Sequence, residues 1–204
     1  MIFRTFLHVG CGSKRRDQTT PALAKWKEIR LDIDPLVDPD VTGTMLNMSA
    51  VPTGSVNAVY SSHNIEHLYP HEVPQALAEF LRVLDDEGFA VLTCPDLKSV
   101  CALVAKDGLI DPVYKSPAGP IAPLDILYGH RGSLARGNLF MAHRSGFTER
   151  VLRSTLLQAG FRSVVSIARG RAPYFDLWAI ASKSQRTEEQ MKDLACEHLP
   201  GFSA

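Results

Sequence analysis

Charge of one sign is not in excess anywhere in the composition. Lys and Arg total 22, Asp and Glu total 22, and the formal net charge is +0. Proteins that hold long nucleic acids are usually basic, because neutralising phosphates supplies much of their affinity. The balance therefore disfavours a DNA or RNA substrate. Cysteine is scarce, and Cys11, Cys94, Cys101 and Cys196 are spaced for neither a disulfide framework nor a paired zinc motif. A reducing, cytoplasmic setting is the expectation that follows. No apolar run is long enough to cross a bilayer. The apolar part of the Met1–Leu7 segment is too short for a signal peptide and leads straight into a glycine turn. Low-complexity segments and internal repeats are lacking as well. What is present is 204 residues, 45% of them hydrophobic, enough for one buried core. A single domain over 1–204 is expected.

Strand and helix patterns alternate along the chain. Phe3 to Val9 is β-rich and ends at Gly10-Cys11-Gly12, which reads as a buried strand and a tight turn. Glu28 to Asp34 is a second strand, stopped by Pro35; Val41 to Met45 is a short third and Ser55 to Ser61 a fourth. Pro70 to Leu84 has helical spacing, with Val73, Leu77, Phe80, Leu81 and Leu84 on one stripe. Phe89 to Cys94 is a continuous apolar run that suits a strand buried on both faces. Leu97 to Val104 reads as a helix. From Lys106 to Arg144 prolines and glycines break every pattern, which predicts an irregular insertion after the fifth strand. A helix capped by Thr148, strands over 161–167 and 175–181, and a helix over 187–199 close the chain. The expected fold is α/β: a doubly wound, mostly parallel, seven-stranded sheet with an antiparallel final strand. Pro35 to Asp40 and Asn47 to Gly54 are too short for ordinary helices, so one helical layer should be thin.

In open α/β sheets ligands bind beyond the carboxyl ends of the strands. The Gly10-Cys11-Gly12 turn lies there, and Asp32 follows Gly12 by 20 residues at the end of the second strand. An acid at that place can accept from both hydroxyls of a ribose. A dinucleotide fingerprint would need a third glycine three residues on, where Arg15 stands. An adenosine-type ligand without a pyrophosphate fits this turn better. Lys14, Arg15 and Arg16 keep a phosphate-bearing cofactor open as an alternative, and with it an oxidoreductase or sugar-nucleotide enzyme.

The stretch Leu7-His8-Val9-Gly10-Cys11-Gly12 resembles the first motif of class I S-adenosylmethionine-dependent methyltransferases. Ser61-Ser62-His63-Asn64-Ile65-Glu66-His67-Leu68 resembles the segment after the fourth strand in their type 11 branch, and Ala159-Gly160-Phe161 is also similar to theirs. The resemblance implies a Rossmann-like fold, S-adenosylmethionine as cofactor, S-adenosylhomocysteine as product, and methyl transfer. It implies that Gly10, Cys11 and Gly12 line the methionine part and Asp32 the ribose. It sets Ile33 beside the adenine, Asn47 and the Met48 N–H at the adenine edge, and Ser62 and His63 under the sulfonium. His8 stands where the family commonly has an acid, and is counted with the cofactor residues.

The acceptor side is less legible. A hydroxyl or amine acceptor needs a base, and His63, His130 and His143 are candidates. The insertion carries Tyr128, Arg131, Arg136 and Arg144, which imply a lid over a small, polar or anionic acceptor. The run His63-Asn64-Ile65-Glu66-His67 matches the inverted zinc-hydrolase pattern. That pattern needs both histidines on one helix, and Pro70 follows almost at once with no third ligand in view, so no metal is expected. A protein that binds S-adenosylmethionine without transferring its methyl group remains a second alternative.

Overall fold

The computed structural model describes residues 4–203; Phe3, where the first strand was expected to begin, lies outside them. The seven strands of the main sheet run in the order β3-β2-β1-β4-β5-β9-β8. Their ranges are Thr5–Val9 (β1), Lys27–Asp32 (β2), Val41–Thr42 (β3), Val56–Ser62 (β4), Leu84–Pro95 (β5), Ser163–Arg169 (β8) and Asp176–Ser182 (β9). The five strands from β3 to β5 are parallel, and β9 runs antiparallel to both neighbours. From β1 the chain winds outward through β2 and β3, then returns to β4. The strand order therefore reverses between β1 and β4, which opens a crevice at their carboxyl ends.

Both faces of the central strands are buried, which is why they read as nearly continuous apolar runs. On one face Leu7, Val9, Val59 and Leu92 pack against two amphipathic helices, α1 (Val73–Val83) and α5 (Glu149–Ala159). The α1 stripe sends Val73, Leu77 and Phe80 into this core, as the spacing predicted, while α5 sends Leu152 and Leu156. Thr148 caps α5 through its side chain, and Gly160 ends it in the left-handed region. On the other face Phe6, Ala58, Tyr60 and Val91 meet Met191, Ala195 and Leu199, which belong to or follow α6 (Glu188–His198).

The thin layer is present and extends further than expected. Pro35–Val37 makes a single 3-10 turn, and no helix forms between Asn47 and Gly54. Met45, Met48 and Val51 fill the core there instead. Arg82 of α1 pins this loop: it donates to the carbonyls of Met48 at 2.8 Å and Val51 at 2.9 Å while paired with Glu79. Between β1 and β2 the chain forms only two one-turn 3-10 helices, Arg16–Gln18 and Leu23–Lys25. The space that a full helix would occupy is closed by α6. His198 Nδ1 lies 2.9 Å from the Thr20 hydroxyl, and the ring packs on Trp26 and Phe89.

The expectation of an irregular insertion over 106–144 is corrected. After α2 (Leu97–Val104) come a ribbon of β6 (Tyr114–Ser116) with β7 (Gly119–Ile121), then α3 (Pro123–Tyr128), α4 (Arg131–Ala135) and a 3-10 turn at Leu139–Met141. Its prolines and glycines terminate elements rather than prevent them. Pro123 occupies the first turn of α3, where a missing N–H costs nothing. Ile121 and Ile126 bury themselves with Val100 and Phe175 in a third, small core. Asp125 joins α3 to α4 by accepting from Arg131 Nε at 2.8 Å and Nη2 at 3.0 Å. Burial would raise the Asp125 carboxyl, but Arg131 and the N–H groups of Ala122 and Arg131 outweigh it and hold it down at about 2.

Candidate active site

The glycine turn is wired to β2. Gly10 and Cys11 donate their N–H groups to the Leu31 carbonyl at 2.9 and 3.2 Å, and Gly12 donates to Asp32 Oδ2 at 2.7 Å. Gly10 and Gly12 have φ of 65° and 52°, a region that glycine enters without strain. Beneath the turn lies Arg30, 2% exposed. Its guanidinium donates to the carbonyls of Gly12 at 2.6 Å, Lys14 at 3.3 Å and Val37 at 3.1 Å, and also to that of Asp38. Arg30 thus ties the glycine turn to the turn after β2. Asp32 Oδ1 accepts from Asp34 N at 2.9 Å. Each Asp32 oxygen has one N–H partner and a further lone pair for a ligand.

A cavity of about 400 Å³ opens at the carboxyl ends of β1 and β4. Gly10, Gly12, Asp32 and Ile33 line one side, as expected, and His63 lines another. Asn64 lines it too, and reasoning from sequence missed that residue. Its Nδ2 is buried and has no hydrogen-bond partner. A buried donor left unpaired is costly, so Asn64 is a group that a ligand would satisfy.

Five expected cofactor residues stand elsewhere. His8 points to the opposite face of the sheet, 1% exposed, with Nδ1 2.7 Å from Glu28 Oε1 and its ring edge-on to Tyr60. Burial lowers its pKa against the opposing pull of Glu28. Cys11 is buried and its N–H is spent on Leu31, so it offers the cavity neither group. Desolvation pushes its thiol up to about 11, which rules it out as a neutral-pH nucleophile. The Met48 N–H goes to Glu79 Oε2 at 2.7 Å, and Asn47 turns its Oδ1 to Ser49 N at 3.1 Å. The cavity is lined by Thr44, Met45 and Leu46 in their stead. Ser62 accepts from Thr93 Oγ1 at 3.0 Å, outside the cavity.

The candidate bases separate in the same way. His63 sits at φ 51°, unusual for a residue with a Cβ, and its side chain is 46% exposed. Its Nδ1 lies 3.4 Å from Glu66 Oε1. Glu66 is 1% exposed, and neither carboxylate oxygen has a hydrogen bond. Burial would raise this carboxyl, but His63, His67 and His143 together hold it below the ordinary carboxylate range. His143 is brought against His67, with ring centroids 4.9 Å apart, and burial lowers its pKa. His130 Nδ1 lies 3.0 Å from Ser133 Oγ of the helix that it precedes, and the residue does not line the cavity.

The insertion reaches the cavity through Asn138, Phe140, Met141 and Arg144. Of the expected acceptor residues only Arg144 is among them. It stacks 5.0 Å over Tyr69 and donates to the His67 carbonyl at 3.1 Å. Arg131 is spent on Asp125, Arg136 reaches Ser133 Oγ at 3.5 Å, and Tyr128 is exposed away from the cavity. No helix is long and apolar enough to cross a membrane among the described residues.

Residues 7–92, from β1 through most of β5, match the family described as methyltransferase domain, type 11. A search of curated proteins finds no match. Solved structures of similar fold include a SAM-dependent methyltransferase from Archaeoglobus fulgidus at 16% identity and TM-score 0.57, covering 89% of this chain and 86% of that one. Another is a SAM-dependent methyltransferase from Methanosarcina mazei, at 16% identity and TM-score 0.57, with coverage of 91% and 95%. A third is the 1,6-didemethyltoxoflavin-N1-methyltransferase of Burkholderia thailandensis, with bound 1,6-didemethyltoxoflavin and S-adenosylhomocysteine, at 15% identity, TM-score 0.53 and coverage of 89% and 71%. The strand order, the glycine turn and the acid at the end of β2 thus stand in a chain whose residues 7–92 match a methyltransferase domain and whose fold is shared with S-adenosylmethionine-dependent methyltransferases.

Proposed function

We propose that the protein methylates a small polar acceptor held between the glycine turn and the 106–144 insertion. One observation carries the reading. Asn138, Phe140, Met141 and Arg144 of the insertion border the same cavity as Gly10, Gly12 and Asp32. Its volume of about 400 Å³ lies in the range of small-ligand sites. The cofactor supplies an electrophilic methyl group on a sulfonium.

The residues present fit that cofactor. The spare lone pairs of Asp32 suit ribose hydroxyls, and Asn64 offers a buried, unpartnered amide donor. Gly10 must lack a side chain, because a Cβ there would lie 2.0 Å from Asn64 Nδ2. Thr44 to Leu46 and Ile33 supply a partly apolar wall for a flat base.

For the acceptor, the insertion acts as a lid. Displacement at the methyl carbon requires the attacking atom in line with the breaking bond, so excluding water and fixing the acceptor supply much of the rate. Arg144 gives the lid one positive charge at the cavity wall, which favours an acceptor with a negative or electron-rich group. His63 is the base that takes the acceptor's proton, oriented by the Glu66 carboxylate behind it.

The test is release of S-adenosylhomocysteine in a screen of small hydroxy and amino compounds carrying one carboxylate. The expected result is turnover with at least one of them, reduced about 100-fold or more in His63→Asn, with S-adenosylhomocysteine affinity kept. Full turnover by His63→Asn would remove the base assignment. A preference for cationic or wholly apolar acceptors would remove the role given to Arg144.

A further inference from the structure

Below the cavity wall, three side chains from two distant segments converge. Glu66 and His67 come from the 3-10 turn after β4, and His143 from the end of the insertion. One oxygen of Glu66 and one ring nitrogen of each histidine lie within 4.8 Å of one another. The junction is held together by the backbone: Arg144 and Ser145 donate their N–H groups to the Glu66 carbonyl at 2.8 and 3.1 Å.

The hydrogen bonds of the two imidazoles decide which nitrogen of each keeps a lone pair. His67 Nδ1 lies 3.1 Å from the Ala142 carbonyl, and His143 Nδ1 lies 2.8 Å from the Ile126 carbonyl. A carbonyl only accepts, so each Nδ1 carries the proton and each Nε2 keeps a lone pair. This backbone partnering is the outer arrangement that fixes the tautomer of metal-bound histidines. Both oxygens of Glu66 are buried without a hydrogen bond. One carboxylate oxygen and one ring nitrogen of each histidine thus gather at one point, and the nearest donor to the buried Glu66 carboxylate is His63 Nδ1, at 3.4 Å from Oε1. Such an arrangement is unfavourable unless a cation occupies that point.

We propose that Glu66, His67 and His143 bind one divalent transition-metal ion of the zinc type. Two imidazoles and one carboxylate are a known donor set for zinc and for iron(II), and three protein ligands leave a position open. His67 also lines the cavity, so the open position faces it and takes an oxygen or nitrogen ligand from that side. Bonds of 2.0–2.1 Å to a tetrahedral ion bring donor atoms to about 3.4 Å apart, a closure that side-chain rotation provides. The expectation of no metal rested on His63 and His67 lacking a shared helix. It had no view of His143, which the fold delivers from a segment remote in sequence. The inference stands apart from the acceptor reading, since binding is measured without turnover.

The experiment uses the full chain, freed of any histidine tag and stripped with chelator, titrated with Co²⁺ and then Zn²⁺. One equivalent of Co²⁺ is expected to bind, with the intense visible absorption of a low-symmetry site, and Zn²⁺ to displace it. Glu66→Gln and His143→Asn should each weaken Co²⁺ binding about 100-fold or more, beyond the usual effect of an outer partner. His130→Asn, away from the cluster, should leave it unchanged. Absence of a saturable one-equivalent phase in the wild-type protein overturns the proposal, and that result depends on no variant folding. So does wild-type affinity in a folded His143→Asn protein.

Discussion

Gly10 and Asn64 are fitted to one another: the space a Cβ would take on the first is filled by the amide of the second, 2.0 Å from its Nδ2. The turn after β1 and the turn after β4 are therefore set at contact distance, and the cavity begins where they touch. Gly10→Ala must displace Asn64 and also force an alanine to φ 65°, at roughly 1–2 kcal/mol for the backbone alone. S-adenosylhomocysteine affinity, measured by calorimetry, should fall at least about 10-fold. Unchanged affinity would mean that Asn64 can move without consequence for the ligand.

Asp32 has two tasks, and two substitutions separate them. It accepts from Gly12 N and Asp34 N, and it is the proposed ribose acceptor. Asp32→Ala loses both tasks. Its ligand affinity should drop about 10- to 100-fold, in line with roughly 1.5–3 kcal/mol for a hydrogen bond to a charged group. Its melting temperature should fall as well. Asp32→Asn keeps one acceptor, so it should lose affinity with a smaller thermal shift. Calorimetry and thermal denaturation on the pair read this directly.

Gly129 sets the position of the turn proposed as the lid. It has φ 99°, and a Cβ there would lie 2.0 Å from the Met141 carbonyl. Gly129→Ala should push the 139–141 turn, and with it Phe140 and Met141, away from the cavity. The expected outcome is kcat/KM reduced about 10-fold or more on the identified acceptor, as misplacement in an active site commonly costs more than that. Steady-state kinetics decide it; a wild-type kcat/KM would detach the lid from catalysis. Deleting all of 106–144 would be a poorer test, because it uncovers Val100 and Phe175.

His198 should make the fold acid-sensitive. Burial, with a smaller push from Arg4, lowers its pKa from 6.5 to about 4. The unfolded chain therefore binds the proton first as pH falls. The stability that the neutral ring contributes is complete above about pH 6.5 and is lost progressively down to about pH 4. Its full size is on the order of 3 kcal/mol. Urea denaturation at several pH values should show the loss in the wild type and a shallower slope in His198→Leu. Equal slopes would place the acid sensitivity elsewhere.

Local signals were legible, and signals that depend on distant segments were not. Gly10, Gly12, Asp32 and Ile33 line the cavity because a strand end and its turn are set by neighbouring residues. Asn47 and Met48 stand outside the cavity: Glu79, on a helix far along the chain, takes the Met48 N–H, and Thr44, Met45 and Leu46 line the wall instead. His8 stands where the resemblance puts an acid of the cofactor site, but strand alternation sends it to the opposite face, beside Glu28. The insertion was read as irregular because its prolines were counted as breakers. Ala122-Pro123 followed by Asp125, whose carboxylate accepts from Ala122 N at 3.0 Å, was a helix start in plain view. Asn64 carried no signal at all beyond its place in the turn.

The α6 cover over the short β1–β2 connection couples the two ends of the fold in time. Thr20 and His198 are 178 positions apart in the chain, yet they close one core around Trp26 and Phe89. During synthesis the β1 strand and its glycine turn emerge early and must wait, one face uncovered, until α6 has left the ribosome. Contacts of such separation slow folding and leave apolar surface exposed to chaperones in the meantime.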